Sequence, residues 1–591
     1  MSSIRRYNVI LLLVAGLGGL LYGIDVGIIA SALPYLSATS KLDAADLSMV
    51  VAAVLLGSVL STLFAGTLAD WFGRKNLMVI SGVLFAASIP IIALAQGYGP
   101  LLGGRLLQGI SAGLIGVVVP LYLAECLTPE QRGSGTGVFQ WLLTLGIFVA
   151  ALIGIVFSTR LAALMQHGTA SQIFSYKNSA WRDIFWASLP PSLLFIVGSI
   201  WVAESPRWLF KQGRTDAAQA SLLRSRTPEQ AQTEMAEMQQ LAHPQAGPAN
   251  AKPMGSLLQK KYIVPFVLAC VILACNQTTG INSIIGYNTS ILLQAGLSDL
   301  QAHWGYVIFT AVNFLMTIVG VLLVDRIGRK WLLSIGSFGI MVSLVAVGCL
   351  FYQSEVHRVD CRSAVARLVR QSGKGPIKFT PQLAASWIHR SSMPGKAGIV
   401  PYPATRPVSL VVIYSVGKFS DQTTAMRSDS RTPGTLNISR ADCLPDNAVR
   451  AFFVNPFASF EQAKKAPLVI DHAWLTPVPT AAHGWLTLAA LLVFAGFFAA
   501  GPGVCVWLAL SELMPTRIRS NGMSIALVLN QGVSTVIAAT FLPLVGDWGY
   551  SIVFFGFAAC TVVYFVAAAF FLPETRNKTL EEIEIIFQGK L

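Results

Sequence analysis

The sequence predicts an all-α integral membrane protein with twelve transmembrane helices in two similar halves. Three observations lead to this fold class. Only 12% of the 591 residues are charged whereas 54% are hydrophobic, apolar segments of spanning length recur along the chain, and polar motifs of the first half return in the second. Soluble domains carry about 25% charged residues, so such a deficit over this length indicates a protein embedded in a bilayer.

Twelve segments are long and apolar enough to cross the hydrocarbon layer, which takes about 20 residues of helix. They fall at residues 8–32, 47–69, 76–96, 101–124, 135–157, 183–203, 262–293, 304–324, 331–352, 484–510, 521–545 and 550–572. The first follows Arg5 and Arg6, as a signal peptide would. Its interior Asp25 and the lack of a small-residue cleavage site favour a retained span.

The net charge is +14, and the basic residues behind it are distributed along the chain as expected of a membrane protein. Only Lys41, Arg160, Lys177 and Arg182 lie in or beside the short loops of one side, and Arg105 lies within a span. This positive-inside pattern places both termini in the cytoplasm. The predicted location is therefore a cell (inner) membrane, and the charge requires no nucleic-acid partner.

Internal repetition divides the chain into two six-span halves. The motif Asp70-Trp-Phe-Gly-Arg-Lys returns as Asp325-Arg-Ile-Gly-Arg-Lys, each copy lying between two apolar segments. The repeated charges are Asp70 with Asp325, Arg74 with Arg329, Glu125 with Glu512, Arg132 with Arg519, Glu204 with Glu574 and Arg207 with Arg576. Residues 1–207 are predicted to form the first bundle, and 261–352 with 481–591 the second bundle and tail.

Two polar segments interrupt this repeat. Residues 353–480 form an insertion between spans nine and ten, which topology places on the extracytoplasmic side. Its residues Val408 to Val416 form a short apolar run typical of a strand, so a small β-containing subdomain and a disordered loop are both compatible with the segment. Residues 208–260 link the halves on the cytoplasmic side, and 215–241 are predicted to form short amphipathic helices. These helices either brace a closed gate or only tether the two halves.

Five motifs in order make the chain resemble the sugar porter family of the major facilitator superfamily. They are Gly66-x-x-x-Asp70-x-x-Gly73-Arg74-Lys75, Pro120-x-Tyr122-x-x-Glu125, Glu204-Ser205-Pro206-Arg207, Gln277-x-x-Gly280-Ile281-Asn282 and Pro573-Glu574-Thr575. Close relatives in that family include the bacterial xylose–proton symporter and the facilitative glucose carriers. The resemblance implies two six-helix bundles that rock about a central site. It also implies that the repeated charges form a cytoplasmic gate, with Glu125 facing Arg132 and Glu512 facing Arg519.

The resemblance also implies a sugar site made of polar and aromatic side chains inside the spans, where such residues are costly and usually functional. Its members are Gln140, Asn276, Gln277, Asn282, Asn313, Trp507 and Asn530. An inter-helix hydrogen bond is the simpler role for each amide taken alone. The sequence departs from the family at Asn276, Gly286 and Gln531, where less bulk and more polarity favour a substrate that differs from glucose.

Asp25 and Arg105 resemble the family's proton-coupling pair. Asp25 lies in the middle of span one, and Arg105 opens span four. Uncoupled members have Asn at the first position, so Asp25 favours proton symport. A purely structural ion pair is the alternative.

The predicted function is therefore the import of a sugar together with a proton by alternating access. The alternatives are an uncoupled facilitator, a proton-coupled carrier of a polyol or another non-sugar, and a sugar-sensing receptor that signals through the insertion. We expect no enzymatic activity, cofactor, metal site or obligate protein partner, because the sequence contains no Walker loop and no Cys/His cluster. Cys361 and Cys443 are predicted to pair as a disulfide within the insertion, and two free thiols are the alternative.

Overall fold

A computed structural model describes residues 3–40, 42–127, 129–242, 260–371, 377–391, 407–429, 435–436, 438–445, 451, 458–513, 519–574 and 576. In this part of the chain, twelve helices are long and apolar enough to cross a membrane. The prediction of an all-α membrane protein with twelve spans and an insertion after span nine is thus confirmed. Several helices extend beyond the apolar segments, because polar residues at the ends continue the helical hydrogen bonding.

The first half consists of six spans. They are Ser3–Thr39, Ala44–Phe72, Arg74–Ala93, Tyr98–Cys126, Pro129–His167, and a sixth in two pieces, Ala170–Trp186 and Leu189–Trp201. Spans two and three meet at Gly73, whose φ of 88° is a backbone conformation that almost only glycine adopts. This glycine permits a turn of one residue between two long helices.

The second half repeats this plan. Its spans are Lys260–Thr278 with Ile281–Gly286 and Asn288–Gln294, then Asp299–Ile327, Arg329–Glu355, Ala481–Ala500 with Pro502–Leu513, Arg519–Trp548, and Tyr550–Val566 with a wide helical turn at Ala567–Phe571. Span seven is broken at Gly280, which has a left-handed φ of 79°. A side chain at Gly280 would overlap the ring of Phe557, so the break also depends on close packing against span twelve.

Because the number of spans is even, span one begins and span twelve ends on the same side, here called the terminal face. The turns at Gly73 and Gly328 lie on the terminal face, and Gly328 has a φ of 97°. The opposite side carries the described part of the insertion and is called the insertion face. Contacts between the halves run along span two against span eleven and along span five against span eight.

The insertion is a folded α+β unit. Its main sheet is antiparallel, in the order β1-β7-β3-β4 with β5 paired to β3, and a second sheet pairs β2 with β6. The strands are β1 Val359–Asp360, β2 Ile377–Lys378, β3 Val408–Val416, β4 Phe419–Gln422, β5 Met426–Arg427, β6 Thr435–Leu436 and β7 Leu468–Pro477. The helices are Arg362–Gln371, Pro381–Ser391, Arg440–Cys443 and Phe460–Ala463.

Strand β3 occupies the residues that its sequence predicts. Its run of β-branched and aromatic residues suits a buried strand, and seven of its nine residues are buried. The buried side chains of Val365, Phe379 and Trp387 join those of β3 in one core. Of the two forms that the sequence left open, the structure therefore contains the subdomain.

Cys361 and Cys443 are free thiols in this structure, so the predicted disulfide is wrong. The Cys361 thiol contacts the carbonyl of Ala473 on β7 at 3.2 Å, and the Cys443 thiol contacts the carbonyl of Tyr414 on β3 at 3.7 Å. Burial raises the pKa of both thiols to about 12. The two sulfurs thus reach the sheet at different strands, which no sequence spacing could have revealed.

Three short helices follow span six on the terminal face, at Pro206–Lys211, Thr215–Ser225 and Pro228–Ala242. The last two agree with the predicted amphipathic helices. Arg226, which is 2% exposed, pairs with Glu234 at 2.6 Å and donates to the carbonyls of Cys126 and Leu127 at the end of span four. The linker helices are therefore bound to the first half rather than suspended between the halves.

Candidate transport site

Asp25 lies where spans one and five approach most closely. A side chain at Gly23 would overlap the carbonyl of Leu143, and one at Gly27 would come within 3.1 Å of the Cα of Ile147. Small residues on both sides of Asp25 thus bring two helices together in the way that membrane helices commonly pack. The carboxylate is consequently held in the interior of the first bundle, and none of its surface is exposed.

Asp25 and Arg105 form a buried ion pair between spans one and four. The Nη1 atom of Arg105 lies 3.3 Å from Asp25 Oδ1 and 2.6 Å from Gln108 Oε1. The Arg105 side chain is 1% exposed, and Asp25 Oδ2 has no hydrogen-bond partner. An ion pair out of water needs several good hydrogen bonds to repay its desolvation. The two charges share a single long contact, so they compensate each other weakly.

A second polar cluster joins spans seven and eleven. Gln277 donates through Nε2 to Asn530 Oδ1 at 3.1 Å, and Asn282 donates through Nδ2 to Gln277 Oε1 at 3.0 Å and to Ser534 Oγ at 2.7 Å. Asn530 is anchored in turn by donating to the carbonyl of Leu273 at 3.0 Å. The break of span seven at Gly280 lets Asn282 turn back toward Gln277. Three of the residues predicted for the sugar site therefore meet.

The other predicted site residues make no described hydrogen bond with this cluster through their side chains. Asn276 is 3% exposed and its Oδ1 atom lacks a partner, although buried acceptors are usually bonded. Gln140 on span five is half-buried, and Asn313 on span eight is buried. The residues next to them, Trp141 and Phe314, stack with their ring centroids 5.4 Å apart. The backbone of Trp507 lies in span ten, and its side chain is outside the described part.

Three residues that the sequence analysis missed take part in these clusters. Ser534 follows Asn530 by four positions and Gln108 follows Arg105 by three, which puts each on the same helix face as its neighbour. Tyr22 approaches the side chains of Gln531 and Ser58, so it links span one to span eleven beside Asn530. Helical spacing from a predicted site residue was the available signal for the first two.

The repeated charges form a network on the terminal face of the first half. Arg74 donates through Nη2 to Glu125 Oε1 at 2.9 Å and through Nη1 to Asp70 Oδ1 at 3.0 Å. Ser205 also donates to Glu125. Glu204 Oε1 accepts from the backbone N–H groups of Arg74 and Lys75 at 3.0 Å. This carboxylate caps span three, since the first N–H groups of a helix have no partner within it.

The second half contains the matching cap. Glu574 accepts from the backbone N–H groups of Arg329 and Lys330 at 3.1 and 3.2 Å. At both turns a side chain in place of Gly73 or Gly328 would overlap the capping carboxylate. The repeated glycine and glutamate therefore form one structural motif. Its turn must be a glycine, because the capping carboxylate leaves no room for a side chain there.

The geometry gives Glu125 a partner that the sequence analysis did not name, and the expected contact of Glu125 with Arg132 stays a prediction. Glu125 pairs with Arg74 of span three, because the Gly73 turn directs that arginine toward the end of span four. The side chains of Arg132, Asp325, Glu512 and Arg519 lie outside the described part, and Arg207 is exposed. The bonds named here for Asp70, Arg74, Glu125, Glu204 and Glu574 remain within one half.

The insertion face is closed by contacts between the halves. Asp299 of span eight accepts from Ser158 Oγ at 2.6 Å and from the Tyr35 hydroxyl at 3.2 Å. Tyr306 donates to the carbonyl of Gly27 at 2.9 Å. In the described part of the chain, the inter-half hydrogen bonds lie at the middle and insertion-side ends of the spans. The polar clusters are therefore shut off from the insertion face.

Two six-span bundles around intramembrane polar clusters define a transport protein of the major facilitator superfamily. A profile of the Sugar (and other) transporter family matches residues 11–368 and 469–587. The chain belongs to this family. The residues between the two matched stretches belong to the insertion, so this unit is an addition to the family's shared fold.

Known proteins match over nearly the whole chain. The facilitated glucose transporter member 12 of Xenopus laevis is 25% identical over 96% of this chain and 88% of that protein. The human proton myo-inositol cotransporter is 26% identical over 98% of this chain and 81% of that protein. The xylose transporter XylE from E. coli, in a partially occluded inward open conformation, superposes with a TM-score of 0.63 at 19% identity, covering 97% of this chain and all of XylE. This last likeness supports the fold.

Proposed function

We propose that this sugar or polyol transporter is a proton symporter, which imports its substrate into the cytoplasm by alternating access. The terminal face is cytoplasmic in this proposal, and the insertion face is extracytoplasmic. The observation that carries the proposal is the buried pair of Asp25 and Arg105. A carboxylate in a span is functional by default, and this one keeps an oxygen without a partner.

Proton transfer to Asp25 is favoured by the geometry of the pair. Burial favours the neutral carboxyl group and the nearby guanidinium favours the carboxylate, so the balance depends on how closely Arg105 approaches. Arg105 also donates to Gln108 at a shorter distance, 2.6 Å. It therefore keeps a partner when Asp25 takes up a proton. Protonation frees span one from span four, and the freed helix takes part in the change of access.

The substrate site in this proposal is the amide cluster of Gln277, Asn282 and Asn530. Two of its hydrogen bonds, from Gln277 to Asn530 and from Asn282 to Ser534, join side chains of two spans, and the hydroxyl groups of a substrate ring would replace them. Asn276 adds an acceptor that has no partner in the cluster. A cyclic polyol fits the polar character of Gln531, and the human relative's name specifies myo-inositol.

The coupling test compares Asp25→Asn with Asp183→Asn in proteoliposomes. Asp183 is an exposed aspartate of span six in the same half, so the second variant controls for loss of a carboxylate. We expect Asp25→Asn to abolish accumulation of labelled xylose, glucose or myo-inositol driven by an inward proton gradient. Exchange of labelled for unlabelled substrate should persist, because exchange needs no net proton movement. Undiminished uphill uptake by Asp25→Asn would remove Asp25 from coupling.

A further inference from the structure

His303 of span eight lies at the contact between the two halves, near the insertion face. Its side chain is 1% exposed. The ring stacks on Tyr35 of span one, with centroids 5.5 Å apart and planes inclined by 12°. A side chain at Gly154 of span five would come within 3.3 Å of the imidazole Cδ2 atom. Spans one and five of the first half thus enclose a histidine of the second half.

Both ring nitrogens of His303 face backbone carbonyl oxygens. Nδ1 lies 2.9 Å from the carbonyl of Asp299, and Nε2 lies 3.4 Å from the carbonyl of Ser31 in span one. A carbonyl only accepts hydrogen bonds, whereas a neutral imidazole has one donor and one acceptor nitrogen. Either neutral tautomer would direct a lone pair at an oxygen. Both contacts are hydrogen bonds only when the ring carries two protons.

The surroundings also compensate a positive charge on this ring. The Asp299 carboxylate lies 3.6 Å from Nδ1. This carboxylate also accepts hydrogen bonds from Ser158 Oγ and from the Tyr35 hydroxyl. Lys177 of span six is also within electrostatic range of Asp299, and Tyr176 lies nearby. Asp299 therefore has Lys177 as a second basic neighbour besides the imidazole.

We propose that His303 is a second proton-binding residue of the transport cycle, a latch that is protonated while the insertion face is closed and loses its proton when that face opens. The bond from Nε2 to the Ser31 carbonyl joins span eight to span one. Opening must break it and leaves the ring without this acceptor. The proton enters and leaves on the same side of the membrane, so His303 sets the balance of conformations without changing the number of protons transported.

The direction of the pH effect follows from linkage. In this proposal the closed state binds one more proton than the open state, so acid pH favours closure of the insertion face and alkaline pH favours its opening. This inference concerns conformation only and does not depend on coupling through Asp25.

The test measures the distance between spin labels at Thr159→Cys and Gln353→Cys, with Cys349 and Cys560 replaced by Ser. Both labelled positions are exposed, one at the end of span five and one at the end of span nine. We expect the wild-type background to shift from the short to the long distance between pH 5.5 and 8, with about a tenfold change in the population ratio. His303→Gln should remove this shift, whereas His357→Gln, at an exposed histidine, should retain it.

Two further measurements keep the test decisive. Asp299→Asn should open the insertion face at pH 5.5, which gives a second readout if His303→Gln is poorly folded. Asp25→Asn should preserve the pH shift, so a failure of proton coupling and a failure of the latch are distinguishable. A distance distribution independent of pH in the wild-type background, or one that shifts equally in His303→Gln, would overturn the proposal.

Discussion

The two faces of this transporter are held by different kinds of contact. On the terminal face, the charges named above bond within one half, and the cap of span three by Glu204 is repeated in the cap of span nine by Glu574. On the insertion face, residues such as Asp299 and Ser158 bond across the halves. A rocking motion leaves the first kind intact and must break the second. Repeated contacts therefore keep each bundle rigid, and contacts between the halves report which face is closed.

The largest effect should come from removing a terminal-face charge. Arg74 is buried between Glu125 and Asp70, and breaking a buried pair leaves an uncompensated charge that costs about 3–5 kcal/mol. Arg74→Gln should therefore lower the melting temperature of the detergent-purified protein. The exposed Arg207→Gln is the matched control and should melt like the wild type. Equal melting of the two variants would mean that the terminal-face network does not rigidify the first bundle.

A smaller loss of stability should come from replacing the glycines at capped turns. These variants test whether the two faces share the glycine–carboxylate turn. Gly549 has a φ of 94° on the insertion face, where Glu355 accepts from the backbone N–H groups of Tyr550 at 2.6 Å and Ser551 at 3.2 Å. Backbone strain at such a position costs about 1–3 kcal/mol in a non-glycine residue. Gly549→Ala and Gly73→Ala should therefore destabilise the protein equally in thermal unfolding.

The control for this comparison is Gly66→Ala in span two. A side chain at Gly66 meets nothing within 4 Å, and Ala is favoured over Gly in a helix by about 1 kcal/mol. Gly66→Ala should leave the melting temperature unchanged or raise it. If Gly549→Ala also proved harmless, the insertion-face turn would lack the constraint found at Gly73.

The smallest effect concerns the contact of the insertion with both halves. Gln422 on β4 donates to the carbonyl of Leu542 in span eleven at 2.8 Å, and the neighbouring Asp421 contacts Asp43 at the start of span two. Burial, with the Asp43 carboxylate as the second cause, raises the pKa of Asp421 to about 7. The docked state therefore binds more protons than the undocked state, and docking should weaken as pH rises through about 7.

Hydrogen–deuterium exchange of β4, corrected for intrinsic rates, measures this docking at pH 6 and pH 8. Protection in the wild type should be greater at pH 6, and Asp421→Asn should make it independent of pH. Glu461→Gln, at an exposed acid of the same insertion, should behave like the wild type. Equal wild-type protection at the two pH values would show that Asp421 does not control the contact.

The sequence predicted the features that depend on a single helix, a single strand or an internal repeat. Apolar length located the twelve spans, repetition located the insertion, and the run at Val408–Val416 located β3. Family spacing named Gln277, Asn282 and Asn530, which do meet. Asp299 and His303 were missed, because they lie before the apolar stretch of span eight and have no counterpart among the repeated motifs. The signal available was their spacing of four residues on one helix.

Contacts between distant parts of the chain were harder to predict. The sequence analysis did not foresee that the Gly73 turn brings Arg74 to Glu125 across 51 positions. The two insertion thiols were paired because both lie outside the spans. Their positions depend on which strands pair, and the register of β3 against β7 is fixed by the folded sheet rather than by spacing along the chain.

The contacts between the insertion sheet and the spans have a practical consequence for electron microscopy and for restraining the helices of the transporter. Arg427 on β5 donates to the carbonyls of Leu293 and Leu297 at the end of span seven, and Gln422 reaches span eleven. The sheet thus holds the outer ends of the two spans whose amides form the polar cluster. An antibody fragment bound to the sheet should serve as a fiducial for particle alignment in electron microscopy, and the same fragment should restrain the outer ends of spans seven and eleven from outside the bilayer.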